Sequence, residues 1–200
     1  MINIAFAPDN NYVMPTIVAL TSLLINNKEE DLCIYIIYLE DDLNINNRNI
    51  FESLVRKYKQ EIQFKEVKRK SLDKFPKFRH GLSAYLRIFT PVLLPDVDKL
   101  IYLDGDIIVN KNISELFNID ISNFEMAGVS DLKQLFDPEY LKIIGFKYNR
   151  YYINSGVLLM NLRALRKLNI LVQTDCYLKK YKDLIYHEDQ DILNSICPNI

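Results

Sequence analysis

Short apolar runs alternate with longer amphipathic stretches along this chain. Residues 2–7 (INIAFA) and 32–39 (LCIYIIYL) are continuous apolar runs rich in β-branched side chains, the pattern of strands buried on both faces. Between them TIVALTSLLIN (16–26) has the length and helical spacing of a crossover helix, so the three segments predict a β-α-β unit. The alternation continues with a predicted helix from Ile45 to Tyr58, a strand at IQFKEV (62–67), a helix from Ser83 to Phe89 and a strand from Leu100 to Leu103. MAGVS (126–130) and YYINSGVLLMNL (151–162) read as further strands, followed by helical segments over Ala164 to Tyr181 and Asp189 to Ile196. Such a succession predicts an α/β fold whose mostly parallel central sheet carries helices on both faces.

Composition narrows the class without naming the chemistry. Two hundred residues, 49% of them apolar, suffice for one core, and the absence of repeats or Pro/Gly-rich linkers makes residues 1–200 one expected domain. The 25 basic and 26 acidic side chains balance, so no global field draws the chain to nucleic acid; the local clusters RKYK (56–59) and KRK (68–70) could still act, or else are a solvated helix face and a polar loop. Cys33, Cys176 and Cys197 are few, odd in number and far apart, which indicates neither a disulfide framework nor a zinc site and fits a reducing cytoplasm. MINIAFAPDN lacks a basic leader, and no apolar run approaches the ~18 residues of a membrane span.

The apolar run KLIYLDGDIIVN (99–110) is interrupted by two aspartates with a glycine between them. Two ionised carboxylates gathered about 4 to 7 Å apart repel by roughly 2 to 4 kcal/mol at an effective dielectric of 20, so a site holding both needs a cation or good solvation. Gly105 permits the tight turn that lets Asp104 and Asp106 face one point, and hard oxygen donors suit Mn²⁺ or Mg²⁺. The competing reading is a solvated Asp-Gly-Asp turn. Ligands of open parallel sheets sit at the carboxyl ends of strands, where Asp104 and Asp106 fall, as does the loop FAPDNNY (6–12) after the first strand. That loop offers Asp9, Asn10, Asn11 and Tyr12, or else simply caps the helix that starts near Pro15. Neither G-x-G-x-x-G nor G-x-x-x-x-G-K-[ST] is present, which argues against dinucleotide enzymes and P-loop NTPases.

Taken together, these segments resemble glycosyltransferase family 8, the family of bacterial lipopolysaccharide glucosyl- and galactosyltransferases and glycogenin-like proteins. Its Ala-x-Asp-x-x-Tyr loop resembles Ala7, Asp9, Asn11 and Tyr12; its Tyr-x-Arg resembles SAYLRI, with Arg87; its D-x-D resembles YLDGDI; its Asn-x-Gly resembles NSGVLLMNL, with Asn154, Ser155 and Gly156; and its Asp-Gln-Asp resembles HEDQDILN, with Asp189 and Gln190. The resemblance covers nearly the whole chain. It implies a Rossmann-like nucleotide-diphospho-sugar transferase fold of the GT-A type, with a UDP-sugar as donor and Mn²⁺ or Mg²⁺ held by Asp104 and Asp106. Ala7, Asp9, Asn11 and Tyr12 would meet the nucleoside, Arg87 the phosphates and sugar, and Asp104, Gly105, Asn154, Ser155, Gly156, Asp189 and Gln190 the rest of the donor, with Asp189 and Gln190 at the reacting sugar.

The expected reaction is transfer of a hexose, glucose or galactose, with retained anomeric configuration, to a hydroxyl of a glycan, a lipid-linked acceptor such as lipopolysaccharide, or a protein-linked acceptor. The family usually adds a later His-x-x-Gly-x-x-Lys motif that grips metal and diphosphate. No such motif occurs here, so a C-terminal segment, with any peripheral membrane contact, is expected beyond Ile200. His80 and His187 lie upstream of it and are not assigned to the metal; His80 reads as a polar-loop residue by the uridine pocket and His187 as a solvated residue at a helix start. Two rivals stay open. A phosphatase of the haloacid dehalogenase type also places Asp-x-Asp after an apolar strand, but near its amino terminus and with a different continuation; a catalytically weak or inactive UDP-sugar-binding domain would carry the same donor residues.

Overall fold

The computed structural model describes residues 1–77, 81–132, 137–147 and 151–200. Among these residues six strands form one sheet: β1 (Ile2–Phe6), β2 (Leu32–Leu39), β3 (Glu61–Val67), β4 (Lys99–Leu103), β5 (Met126–Ser130) and β6 (Ile153–Asn161), in the spatial order β3-β2-β1-β4-β6-β5. β1 pairs in parallel with both β2 and β4, and β2 with β3, while β6 runs antiparallel between β4 and β5. The mostly parallel sheet expected from the sequence is therefore present, with β6 reversed within it. Because the chain leaves β1 toward β2 on one side and returns as β4 on the other, the carboxyl ends of β1 and β4 flank the crevice where strand order switches.

Side chains alternate across the pleat to make two cores. Ile4, Phe6, Ile34, Ile36 and Ile101 face α1 (Val13–Asn26) and α2 (Ile45–Lys57), whereas Ala5, Tyr35, Ile37, Tyr102 and Leu158 face the other layer. That second layer is built from a 3₁₀ turn (Ser83–Phe89), α3 (Thr90–Leu93) and, after the small helices α4 (Ser114–Phe117) and α5 (Pro138–Ile143), from α6 (Leu162–Lys167), α7 (Ile170–Tyr181) and α8 (Glu188–Ile196). β2 is buried along its full length, which is why it reads as an unbroken apolar run; each Leu or Ile buried in this way contributes about 1.5 to 3 kcal/mol.

Three elements differ from their expected form. Ser83–Phe89 winds as a 3₁₀ helix, with residues 85 to 89 all buried, Tyr85 donating to Pro76 O and Arg87 Nε folding back to Ala84 O. The helix expected over 164–181 breaks at Asn169, whose φ of 55° lies in the left-handed region that Asn tolerates better than most residues. α1 begins at Val13, three residues ahead of the apolar periodicity, because Asp9 Oδ1 accepts from the amides of Asn11 and Tyr12 and organises the turn that enters it.

Candidate active site

At the crevice the first loop is fixed by two side chains. Asp9 caps its turn, and Asn10 Oδ1 accepts from the amide and side chain of Asn44 and from the side chain of Asn47, tying the loop to the start of α2. Ala7 and Asp9 are half-buried, whereas Asn11 and Tyr12 are exposed, Tyr12 at 47%. The loop thus presents an aromatic ring on a rigid base. His80 lies outside the described residues.

Across the crevice, Asp104 directly follows β4, and its amide donates to Gly156 O at 2.8 Å. Its Oδ1 accepts from Arg87 Nη2 at 3.0 Å. Gly156 leaves room beside the other oxygen, since a Cβ there would stand 2.7 Å from Asp104 Oδ2 and 3.0 Å from Asn154 Oδ1. Asn154 Oδ1 in turn accepts from the Gly156 amide. Asp106 is exposed and forms no ion pair among the described residues.

Arg87 joins Asp104 to Ser155 and Asp189. It is only 5% exposed and spends its planar fork on the protein: Nε to Ala84 O, Nη1 to Ser155 O and Nη2 to Asp104, with its guanidinium carbon 4.3 Å above the Tyr102 ring. Nε also lies 3.0 Å from Asp189 Oδ2, but its hydrogen points to Ala84 O, so that contact is Coulombic and the Asp189 oxygen keeps a buried, unbonded lone pair. Burial alone would lower the guanidinium's pKa; the charges of Asp189 and Asp104 and the Tyr102 ring outweigh it, and the net direction is up. For Asp189 burial wins over Arg87 and a Ser155 hydrogen bond, and its carboxyl is raised to about 6.

The start of α8 distributes three successive side chains to three targets. Asp189 faces Arg87. Gln190 accepts from the Ser155 amide at 3.0 Å and donates to Asp131 Oδ2 at 3.1 Å. Asp191, fully buried, accepts from the hydroxyls of Tyr140 and Tyr152 and from the amides of Tyr186 and His187. One turn later Asn194 brackets the backbone of Ile153, fastening α8 to β6. His187 is half-buried rather than solvated, its ring edge-on to Tyr140 and Tyr186.

The structure therefore brings Arg87, Asp104, Asn154, Ser155, Gly156, Asp189 and Gln190 into one contact network, with Asp9, Asn11 and Tyr12 on the facing loop. Asp131 is a network member that no motif marks, its one signal being its place immediately after β5; Asp191 closes the Asp-Gln-Asp motif and is held as a buried acceptor for two tyrosine hydroxyls rather than as a solvated helix-start acid. Among the described residues no three His, Cys, Asp or Glu side chains form a ready metal cage. The donor set at hand is the exposed Asp106 and the Asp104 oxygen kept clear by Gly156, which suits a hard cation shared with an oxyanion ligand. A cavity of about 690 Å³, lined by Ser122–Glu125 and residues of α6, lies at the opposite end of the sheet and includes none of these side chains.

A six-stranded, mostly parallel sheet in this strand order is the fold of nucleotide-sugar transferases. The solved galactosyltransferase LgtC in complex with donor and acceptor sugar analogues superposes with a TM-score of 0.90 at 28% identity, over 98% of this chain and 70% of that one. The family model for glycosyl transferase family 8 matches residues 3–200, and the chain belongs to that family. Among curated relatives, a putative glycosyltransferase of Haemophilus influenzae is 32% identical over 198 residues, covering 98% of this chain and 59% of the relative. A lipopolysaccharide 1,2-glucosyltransferase of Escherichia coli is 27% identical over 200 residues, covering 96% and 57%. The chain thus spans somewhat under three-fifths of the length of these relatives. Among the described residues no helix is long and apolar enough to cross a membrane.

Proposed function

We propose that the chain is the donor-binding domain of a metal-dependent, retaining hexosyltransferase that moves glucose or galactose from a UDP-sugar to a hydroxyl of a glycan, lipid-linked or protein-linked acceptor. The observation that carries this reading is the Asp104–Arg87–Asp189 bridge at the switch point, which gathers two carboxylates beside a crevice and fixes both with one buried cation. The relatives whose names describe hexosyl transfer to lipopolysaccharide support the donor and acceptor classes.

Asp104 and Asp106 would hold Mn²⁺ or Mg²⁺, which when bound neutralises charge developing on the leaving diphosphate. Tyr12 offers its exposed ring to the base. Arg87 works as a positioning residue: each of its three nitrogens is bonded within the protein, so it orients Asp104 and Asp189 rather than reaching out as a free clamp. Asp189, with an unbonded oxygen, accepts from sugar hydroxyls. Gln190, held at both ends of its amide, orients the donor at the anomeric centre. An amide is a weak nucleophile, which favours attack by the acceptor on the face the diphosphate leaves.

The test is UDP release from a panel of UDP-sugars with Mn²⁺ and candidate glycan acceptors, on the longest natural form of the chain. Acceptor-dependent release from one UDP-hexose is expected. Metal-dependent UDP binding with no release from any donor would overturn the enzyme reading and leave a nucleotide-sugar-binding domain.

A further inference from the structure

Between Gly105 and Ile113 the backbone has no regular structure, so its amides and carbonyls need partners from elsewhere. α1 and the residue that caps its end, Asn27, supply four of them. Ser22 Oγ accepts from the Val109 amide at 2.9 Å while donating to Ala19 O. Asn26 Nδ2 donates to Val109 O at 2.9 Å, and Asn27 accepts from the Ile113 amide at 2.6 Å and donates to Lys111 O at 3.4 Å. At the head of this series Thr16, fully buried, donates its hydroxyl to Tyr12 O at 2.7 Å. Gly105 rests on the same hydroxyl so closely that a Cβ there would lie 2.2 Å from Thr16 Oγ1, 3.2 Å from its Cβ and 3.4 Å from its Cα.

We propose that α1 is the rail that positions the D-x-D loop, and that Thr16 is its positioning residue, setting the gap between the Tyr12 loop and Asp104–Asp106. A nucleoside diphosphate reaching from the Tyr12 ring to a cation on the aspartates spans that gap. Thr16 is fully buried against the backbone of both loops, so it acts on binding through Gly105 and Tyr12. The inference rests on the donor-site reading above, and deepens it by naming what registers its two halves.

The experiment compares UDP affinity with and without Mn²⁺ by calorimetry, alongside melting temperature and amide hydrogen exchange of residues 105–113. In Thr16→Val a methyl replaces the hydroxyl against Gly105; the gain in UDP affinity from Mn²⁺ is expected to shrink at least tenfold, with metal-free UDP affinity within twofold of the parent. Thr16→Ser, which restores the hydroxyl, is expected to keep the gain within twofold. Gly105→Ala is expected to lose it, and Thr16→Ala combined with Gly105→Ala to regain part, because the clashing hydroxyl is gone. Ser22→Ala is expected to speed exchange at Val109, a readout that needs no ligand. A Thr16→Val chain that folds and keeps the full Mn²⁺ gain overturns the inference, as does a double variant no better than Gly105→Ala alone. A parent chain that binds UDP no more tightly with Mn²⁺ overturns the functional reading beneath it, while the exchange data still report whether α1 holds the loop.

Discussion

Gly156 lies beneath Asp104 with only a hydrogen where any other residue would place a carbon 2.7 Å from the carboxylate. Asp104 cannot retreat easily, because Arg87 holds its other oxygen and its amide is bonded to Gly156 O. The glycine is thus a space requirement of the carboxylate rather than a feature of the turn.

Gly156→Ala is expected to displace Asp104 toward the crevice. Overpacking of this kind costs about 1 to 3 kcal/mol. The melting temperature should fall modestly, while the Mn²⁺-dependent part of UDP binding falls at least tenfold. A variant with unchanged metal-dependent binding would show that Asp104 tolerates movement and that the close approach is incidental.

Arg87→Met keeps the length and apolar stem but removes the charge between two carboxylates. Breaking a buried pair by deleting one partner costs about 3 to 5 kcal/mol. Chemical denaturation should register a loss of that order, and Arg87→Lys, which keeps charge without the fork, should fall between. A loss below about 1 kcal/mol would mean that the network is looser than its distances indicate.

How far the sequence reveals this arrangement depends on the range of the interactions. Strand β2 is apolar at every position because both its faces are covered, so one window of eight residues suffices to read it. Asp104 and Asp106 are legible for the same reason: they interrupt a run that otherwise enters the core. The reversal of β6 has no local signature, since its apolar run Val157 to Met160 reads the same in either direction. Nor does the 3₁₀ winding of residues 83–89, which follows from long-range packing around Arg87. Asp131 carries no motif, and Asp191 is visible only as the second acid of Asp-Gln-Asp, because their roles depend on partners far away in sequence, Gln190 for the first, and Tyr140 and Tyr152 for the second.

Asp106→Asn should leave the fold intact, since the side chain is exposed and makes no ion pair among the described residues. The amide keeps the volume and one oxygen but not the charge that balances a cation. Thermal shift with UDP and Mn²⁺ should drop to the value seen with UDP alone, with the ligand-free melting temperature within about 1 °C of the parent. A large fall in the ligand-free value would make the carboxylate structural.

Gln190→Ala separates chemistry from nucleotide binding. The truncation unbinds the Ser155 amide, a bond contributing about 0.5 to 1.5 kcal/mol, and the Asp131 carboxylate, a charged bond contributing about 1.5 to 3 kcal/mol, so a loss of stability accompanies it. Neither partner lies on the Tyr12 loop, so UDP affinity should stay within about threefold while transfer slows by a factor on the order of 100, as for a lost positioning contact at the reacting centre. Equal losses in both measurements, or none in transfer, would remove Gln190 from the anomeric centre.

Asp189 makes the pH dependence of the metal-free chain unusual in sign. Burial raises its carboxyl to about 6, above the ordinary carboxylate range near 4, so the folded state holds this proton more tightly than the unfolded chain does. The stability the site contributes is therefore fully present below about pH 4 and is lost as pH rises through about 6, the reverse of a salt-bridged aspartate with a lowered pKa. Other carboxylates titrate in the same window, so the parent's curve alone cannot isolate it. Asp189→Asn removes only this titration: it shifts stability by a constant, through Arg87 losing a counter-charge, and leaves no proton to bind. The difference in unfolding free energy, variant minus parent, should climb between pH 4 and pH 7 by at most about 3 kcal/mol, whatever its starting sign. Denaturation at intervals across that range supplies the measurement. A flat difference would place Asp189 in ordinary solvation, and a falling one would mean that Arg87 overrides burial and holds the carboxylate ionised throughout.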